Sequence, residues 1–406
     1  MIKDINCKIG LDVTINTTED CNMRCKYCYE INKRNRTISF DKCKKFIDLL
    51  LSDENYLGSL SEDCEKHINS GLIINFIGGD SLIDVDICDK TLTYLVYKLN
   101  TTNTFRAIRW RTSWRCNITS NGTLFGDPKV RTFLTKWKDN ISLGVSIDGC
   151  PIIHNKNRIM AYKDQNGNEV GSMDIILKNW DWYKTTFPVH SLNTKSTCSR
   201  DSIPYLYESL VFMHETLGLK YIHQNFIMED TGCTEEDYQL LHEQMQKCID
   251  YVYEHRDEMY WSMIDKLFLC KNEIVKDKEY WNKPRCGSGV MPTLAIDGQI
   301  YPCFRWLPHT QHKDGLMSIG NVDEKIISIS EFEKVREGAK RKTCTKDPKC
   351  FECEYEEACP YCIAGCYAEY GDFIRTTHIC EITKIQVEYA RKYWHRLGEY
   401  KYPDEQ

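Results

Sequence analysis

No stretch of the 406-residue sequence approaches the ~20 consecutive apolar residues that a membrane-spanning helix needs. The start, Met1-Ile2-Lys3-Asp4-Ile5-Asn6, lacks the apolar core of a secretory signal, so the expected location is cytoplasmic, with no membrane partner. Positive charge is not in excess either. The 59 Asp and Glu against 53 Lys and Arg leave a net charge of −6, which speaks against a dedicated nucleic-acid binder. Solenoid-type repeats and low-complexity tracts are absent. Hydrophobic residues at 42% and charged residues at 28% are globular values, which excludes disordered and collagen-like chains.

Cysteine, by contrast, is abundant, at 22 residues. A long chain without an export signal is the wrong setting for a disulfide framework, which leaves metal or iron–sulfur ligation. Cys21, Cys25 and Cys28 form one group spaced C-x3-C-x2-C. Cys344, Cys350, Cys353, Cys359, Cys362, Cys366 and Cys380 crowd the C-terminal region, and Cys286 and Cys303 stand between. The other ten, from Cys7 to Cys270, are scattered singly and read as small buried hydrophobes. Structural zinc accounts for four or eight clustered cysteines. It does not account for a group of three whose next cysteine is Cys43. A cluster with three protein ligands leaves one iron open to a further ligand.

The first 226 residues alternate between two patterns. Apolar, β-branched stretches predict strands at Ile9–Asn16, Leu72–Ile77, Cys116–Ser120, Ser142–Ile147, His190–Thr197 and Tyr221–Phe226. Helical spacing falls between them, at Asp41–Leu51, Asp86–Leu99, Asp127–Lys138, Ser172–Thr185 and Ile203–Leu217. This alternation indicates an α/β fold with a parallel sheet, and an open doubly wound sheet and a partial barrel both fit it. In either, the loops after the strands form the functional edge. The cysteine group follows the first strand, Gly78-Gly79-Asp80 the second, Ser120-Asn121-Gly122 the third and Ser146-Ile147-Asp148-Gly149 the fourth.

With these motifs on its strand-end loops, the sequence resembles the radical S-adenosylmethionine (radical SAM) superfamily. Cys21-Asn22-Met23-Arg24-Cys25-Lys26-Tyr27-Cys28 is similar to that family's cluster loop, including the aromatic before the last cysteine. The resemblance implies a partial (β/α)6 TIM barrel. It also implies a [4Fe–4S] cluster on Cys21, Cys25 and Cys28, with SAM chelated to the open iron and cleaved by one electron to a 5′-deoxyadenosyl radical. Gly78-Gly79-Asp80 stands where the family usually has Gly-Gly-Glu, against the SAM amino group. Ser120, Ser146 and Arg158 fall where relatives bind the ribose and carboxylate of SAM, and Tyr27 where the backbone meets the adenine.

The C-terminal third resembles a SPASM domain, a cysteine-rich module carrying auxiliary iron–sulfur clusters. Cys286, Gly298 and Cys303 match its opening; Cys350, Cys353 and Cys359 match its C-x2-C-x5-C run, and Cys380 its last cysteine. The fourth position of the run is Ile363, flanked by Cys362 and Cys366, and Cys344 is a further extra. Nine cysteines therefore face two [4Fe–4S] clusters that need at most eight ligands. The resemblance implies Cys350, Cys353, Cys359 and Cys380 for one cluster. For the other it implies Cys286 and Cys303, with Cys366 or Cys362 and Cys344 as the remaining candidates. A zinc ribbon is the alternative.

The expected organisation is a radical SAM barrel over 1–230, a helical connecting segment over 231–283, a SPASM domain over 284–393 and a tail over 394–406. Between Cys233 and Lys283 a helix pair is expected, and 53–71 reads as a polar insertion. SPASM enzymes mostly modify peptides. In the sulfatase-maturing ones an aspartate directly follows the cysteine placed like Cys303; here that position is Phe304. The surplus cysteines resemble maturases of cysteine-repeat peptides, of the sactipeptide and ranthipeptide kind. Thioether formation on a ribosomal precursor peptide with a leader is therefore the expected reaction. Carbon–carbon crosslinking, sulfatase-type oxidation and a non-catalytic electron carrier are the alternatives. An electron donor of flavodoxin or ferredoxin type is implied. The first strand begins near Ile9, which leaves no leader-binding domain ahead of it, so either a separate protein or a core surface presents the peptide.

Overall fold

The strand β1, Leu11–Thr18, is buried along almost its whole length, as a strand with a parallel neighbour on each side must be. The computed structural model describes residues 11–52, 71–270, 276–289, 291–308, 317–324 and 326–405. Residues 53–70 of the insertion expected over 53–71, with Cys7 and Cys64, lie outside them. The chain divides into two units. One holds Met1–Asn22, Cys28–Leu143 and Gly287–Ala339; the other holds Met23–Tyr27, Gly144–Cys286 and Lys340–Gln406.

In the first unit β1 pairs in parallel with β2 (Leu72–Gly78), in register from Leu11 opposite Leu72 to Ile15 opposite Phe76. β2 pairs in parallel with β3 (Trp114–Ser120), and β4 (Ile141–Val145) follows; the chain leaves this unit after Leu143. On the other side of β1 lies β8 (Thr293–Leu294), also parallel, then the antiparallel β9 (Gln299–Tyr301), β10 (Gly320–Asn321) and β11 (Ile326–Ile327). Helices return the chain between the parallel strands. Phe40–Leu51 is capped by Ser39, whose side chain accepts from the Lys42 amide, and buries Cys43, Phe46, Ile47, Leu50 and Leu51 on one face. Each such Leu, Ile or Phe contributes ~1.5–3 kcal/mol by leaving water. Asp84 caps Val85–Thr101 and Asp127 caps Pro128–Lys136, with Pro128 in the first turn where its missing N–H costs nothing.

The second unit carries a parallel sheet of β5 (Asn193–Cys198), β6 (Tyr221–Phe226) and β7 (Tyr260–Trp261). Just past β4, Ser146 bridges in parallel to Lys195 of β5, and the Ile147 amide donates to the Lys195 carbonyl. The strand–helix alternation with parallel pairing is the one predicted, and the differences have local causes. The strand expected from His190 begins at Asn193, because His190–Leu192 turn as a 3₁₀ segment. The helix expected over Ser172–Thr185 is two, Ser172–Lys178 and Trp180–Thr186, broken at Asn179. Ile203–Leu217 opens as a 3₁₀ turn around Pro204, is α-helical over Leu206–Val211 and ends in a π turn over Phe212–Thr216. The expected helix pair after Cys233 is one long helix, Glu235–Glu254, followed by β7, 3₁₀ turns and the short helix Lys278–Asn282. Trp261 explains the strand: it is buried, and its indole N–H donates to Gln224 of β6. Helix Cys380–Arg396 completes this unit; Tyr389 packs on His242 of the long helix.

Candidate active site

The turn after β2 is built for close backbone approach. At Gly78, with φ +137°, an added Cβ would lie 1.9 Å from the Thr18 carbonyl oxygen; at Gly79 it would lie 1.9 Å from that of Asp20. No side chain fits at either position, so the two glycines let the end of β2 lie against the backbone entering Cys21. The Gly79 amide donates to Thr18 and the Asp80 amide to Asp20, each at 3.0 Å. Asp80 is buried, and its carboxylate accepts from the Leu82 amide (3.0 Å), the Ser120 hydroxyl (2.9 Å) and the Asn121 amide (2.8 Å). Burial pushes its pKa up against the pull of these donors. The structure thus joins Asp80 to Ser120 and makes the carboxylate a bracket between the ends of β2 and β3. Asn121 extends the bracket: its side-chain amide donates to Asn22, which donates to Thr123.

The cysteine loop is fixed along both halves. In the first unit the Cys21 amide donates to Asp20 at 2.8 Å, and the Lys33 ammonium donates to Cys28 Sγ at 3.2 Å. The Lys33 and Glu30 side chains are only 8% and 3% exposed and lie 3.6 Å apart. Burial pulls the Lys33 pKa down, but Cys28 and Glu30 outweigh it and the net shift is upward. Spacing alone does not single out Lys33; it is a lone lysine five residues past the motif.

In the second unit Arg24 and Lys26 donate their amides to the carbonyls of Ile159 and Asn157, and Met23 bridges to Met160. The Tyr27 hydroxyl donates to the Asp148 carboxylate. Arg158 donates to the same carboxylate at 3.0 Å, and its guanidinium sits 5.6 Å from the Tyr27 ring. The Thr197 amide is a third donor to Asp148, at 3.2 Å. Two expected ligand-binding residues, Tyr27 and Arg158, therefore meet on a buried acid that sequence reading places only within a turn. Burial above all raises the Tyr27 pKa; for Arg158 burial acts downward, but Asp148 overrides it and the shift is upward. His154, fully buried, has its pKa pulled down to about 3 by burial; its Nδ1 accepts from the Asp148 amide. Ser146 is half-buried and held by its bridge to Lys195.

Farther along the second unit, Cys350, Cys353, Cys359 and Cys380 line one pocket with Glu356, Arg375 and Thr376. Burial pushes the Cys380 thiol up to about 11, and Cys359 and Cys350 add to the shift. Four thiols lining one pocket fit a cubane cluster, whose ligand sulfurs stand farther apart than those on a single tetrahedral ion. The adjoining charges also fit. Glu356, buried, pairs with Arg285, with Arg341 at 3.2 Å and with Arg375 at 3.4 Å, and accepts from the Tyr280 hydroxyl. Three guanidiniums on one carboxylate leave two positive charges in excess. Four thiolates around a [4Fe–4S]2+ core or a Zn2+ ion leave two negative charges in excess, the matching amount.

Cys344, Cys366 and Cys286 lie about Tyr361, whose pKa is raised by burial and then by these thiols. The Cys366 thiol is pushed to about 12 by burial, with Cys362 and Cys344 adding. These four belong to the second unit, whereas Cys303 belongs to the first, where it neighbours Ser288 at 3.8 Å. Next to it Phe304 packs on Tyr29 (ring centroids 5.8 Å apart), and the Arg305 guanidinium is 4.4 Å from the Tyr29 ring. Among the described residues every cysteine is free of disulfide bonding.

No protein-family model matches the chain. The solved structure of anSMEcpe with bound AdoMet and Cp18Cys peptide superposes with a TM-score of 0.65 over 96% of this chain and 99% of that one, at 16% identity. The chain shares the fold of that structure. Streptococcus suis SuiB bound to precursor peptide SuiA superposes with a TM-score of 0.57 over 91% of this chain and 76% of that one, also at 16% identity. Among curated proteins, a cysteine-type anaerobic sulfatase-maturating enzyme of Clostridium novyi is 22% identical over 86% of this chain and 85% of its own length. An uncharacterized protein of Methanocaldococcus jannaschii is 25% identical over 49% of this chain; the match spans 57% of that protein.

Proposed function

We propose that the chain is a radical SAM peptide maturase that installs thioether crosslinks, cysteine sulfur to carbon, in a ribosomally made precursor. The observation that carries the class is the Gly78-Gly79 backbone laid against the entry to Cys21 in a fold shared almost end to end with anSMEcpe. In this reading Cys21, Cys25 and Cys28 hold a [4Fe–4S] cluster that, with SAM, supplies a 5′-deoxyadenosyl radical. The chain's own residues then have definite tasks. The glycines hold the β2 turn against the backbone entering the cysteine loop, and Asp80 keeps Ser120 and the Asn121 amide in place. Asp148 anchors Tyr27 and Arg158. Lys33 offsets thiolate charge at Cys28. Cys350, Cys353, Cys359 and Cys380 hold one auxiliary cluster above the arginine group. For a second cluster the sequence offers Cys286 and Cys303, with Cys366 or Cys362 and Cys344 as the remaining candidates. In this reading an auxiliary cluster takes up the electron that thioether formation releases. A flavodoxin or ferredoxin delivers the first electron. Either a separate leader-binding protein or a surface of this chain presents the peptide.

The thioether reading rests on Phe304, which stands where sulfatase-maturing enzymes carry aspartate, and on the surplus cysteines. Sulfatase-type oxidation of a cysteine or serine is the second reading, favoured by the Clostridium match. Mass spectrometry of short cysteine-rich peptides encoded beside the gene, after incubation with cluster-loaded protein, SAM and dithionite, separates the two. Loss of two hydrogens per bridge with loss of an alkylatable thiol is the expected outcome. An aldehyde-reactive product with no bridge would replace the thioether reading by the sulfatase-type one.

A further inference from the structure

Apart from the cysteine sites, two imidazoles and a carboxylate converge at the C-terminal end of helix Glu235–Glu254. His214 comes from the π turn Phe212–Thr216, His255 caps the helix, and Glu258 lies one turn on, its amide donating to the His255 carbonyl at 2.9 Å. One ligand atom from each of the three lies within 4.8 Å of the others. Glu258 Oε2 is 3.9 Å from His214 Nε2 and 3.5 Å from His255 Nδ1. Two ligands about 2.0–2.1 Å from one tetrahedral ion stand close to such a separation, so small side-chain rotations would close the set.

The surroundings fix which nitrogen is offered. Tyr251 donates its hydroxyl to Glu215 at 3.0 Å, and a carboxylate can only accept. The Tyr251 oxygen, 2.7 Å from His214 Nδ1, therefore accepts from an Nδ1–H. That leaves Nε2 of His214 with its lone pair, turned toward Glu258. An outer hydrogen bond that sets the tautomer and ring orientation of a ligating histidine is what metal sites use. The π turn is a further pointer, since such bulges cost regular hydrogen bonding and recur at functional positions.

We propose that His214, His255 and Glu258 form a binding site for a divalent transition ion of the Zn2+ or Ni2+ class, joining the π turn to the end of the long helix. Nitrogen donors select these ions over Mg2+ and Ca2+, and no sulfur donor takes part, so the site is separate from the cysteine groups. Glu258 is 68% exposed, so the ion would keep water in its remaining positions.

The test uses the cluster-loaded holoenzyme, whose cysteines are occupied, titrated anaerobically with NiCl2 by calorimetry. Wild type should bind one Ni2+ that His255→Gln and Glu258→Gln each weaken at least tenfold, with iron content unchanged. Equal binding by wild type and both variants, or no Ni2+ binding by wild type, overturns the proposal. X-ray absorption of the Ni2+ form of wild type gives an answer even if a variant misfolds: nitrogen and oxygen scatterers alone support the site, and sulfur scatterers refute it.

Discussion

Lys33 Nζ lies 3.2 Å from Cys28 Sγ, with the lysine side chain almost fully buried. A buried ammonium on a thiolate stabilises whichever cluster state carries more negative charge, which is the reduced one. A hydrogen bond to a charged group is worth ~1.5–3 kcal/mol. Lys33→Met should therefore shift the reduction potential of the proposed N-terminal cluster down, by roughly 130 mV at most, because only the change in this interaction between the two redox states counts. A potentiometric titration followed by electron paramagnetic resonance reads this directly. An unchanged potential would mean that the ammonium does not act on the cluster.

Asp80 satisfies three donors from two loops. Asp80→Ala leaves the Leu82 and Asn121 amides and the Ser120 hydroxyl without this acceptor, at about 1–3 kcal/mol for each one left buried and unpaired. The variant should melt several degrees lower and bind SAM more weakly, as seen by thermal denaturation and equilibrium dialysis. Weaker SAM binding with an unaltered melting temperature would identify Asp80 as a direct ligand and not a bracket.

His154 sets a pH dependence. Its folded pKa of about 3 lies below the unfolded value, so the unfolded chain binds the extra proton as pH falls below about 6.5 and the folded chain does not. Its contribution is complete above pH 6.5 and is lost at about 1.4 kcal/mol per pH unit on acidification toward 3. Urea unfolding at pH 7 and pH 5.5 should show this loss in wild type and a smaller one in His154→Phe. Equal pH dependence in both would remove His154 from the account.

Glu356 holds three arginines at once. Glu356→Gln leaves them repelling one another under the cysteine pocket, and removing one partner of a buried pair costs about 3–5 kcal/mol. Iron analysis and calorimetric melting should show loss of the cluster on Cys350, Cys353, Cys359 and Cys380 together with lower stability. Full iron content at wild-type stability would contradict this reading.

Leu72–Ile77 and Tyr221–Phe226 are apolar enough and long enough for their period to be read, and both lie within strands of the fold. Thr293–Leu294 and Tyr260–Trp261 are two-residue strands, too short for any period, and only their pairing to β1 and β6 defines them. Gly78-Gly79 is visible as a motif because its reason is local: the backbone needs positions without Cβ. Asp148, Lys33 and Glu356 carry no such local mark. Each owes its place to partners distant in the chain or to burial, so a polar residue in a loop and a polar residue at the centre of a site look alike until the fold is known.

The central claim is that the Cys21, Cys25, Cys28 loop carries the cluster that cleaves SAM. Wild type and the Cys21, Cys25, Cys28→Ala triple variant, both cluster-loaded under anaerobic conditions, are incubated with SAM and dithionite, and 5′-deoxyadenosine is quantified by chromatography. Wild type should produce it, and the triple variant should produce none while keeping the iron of the C-terminal cysteines. Continued 5′-deoxyadenosine formation by the triple variant, or none by an iron-loaded wild type, would contradict the account.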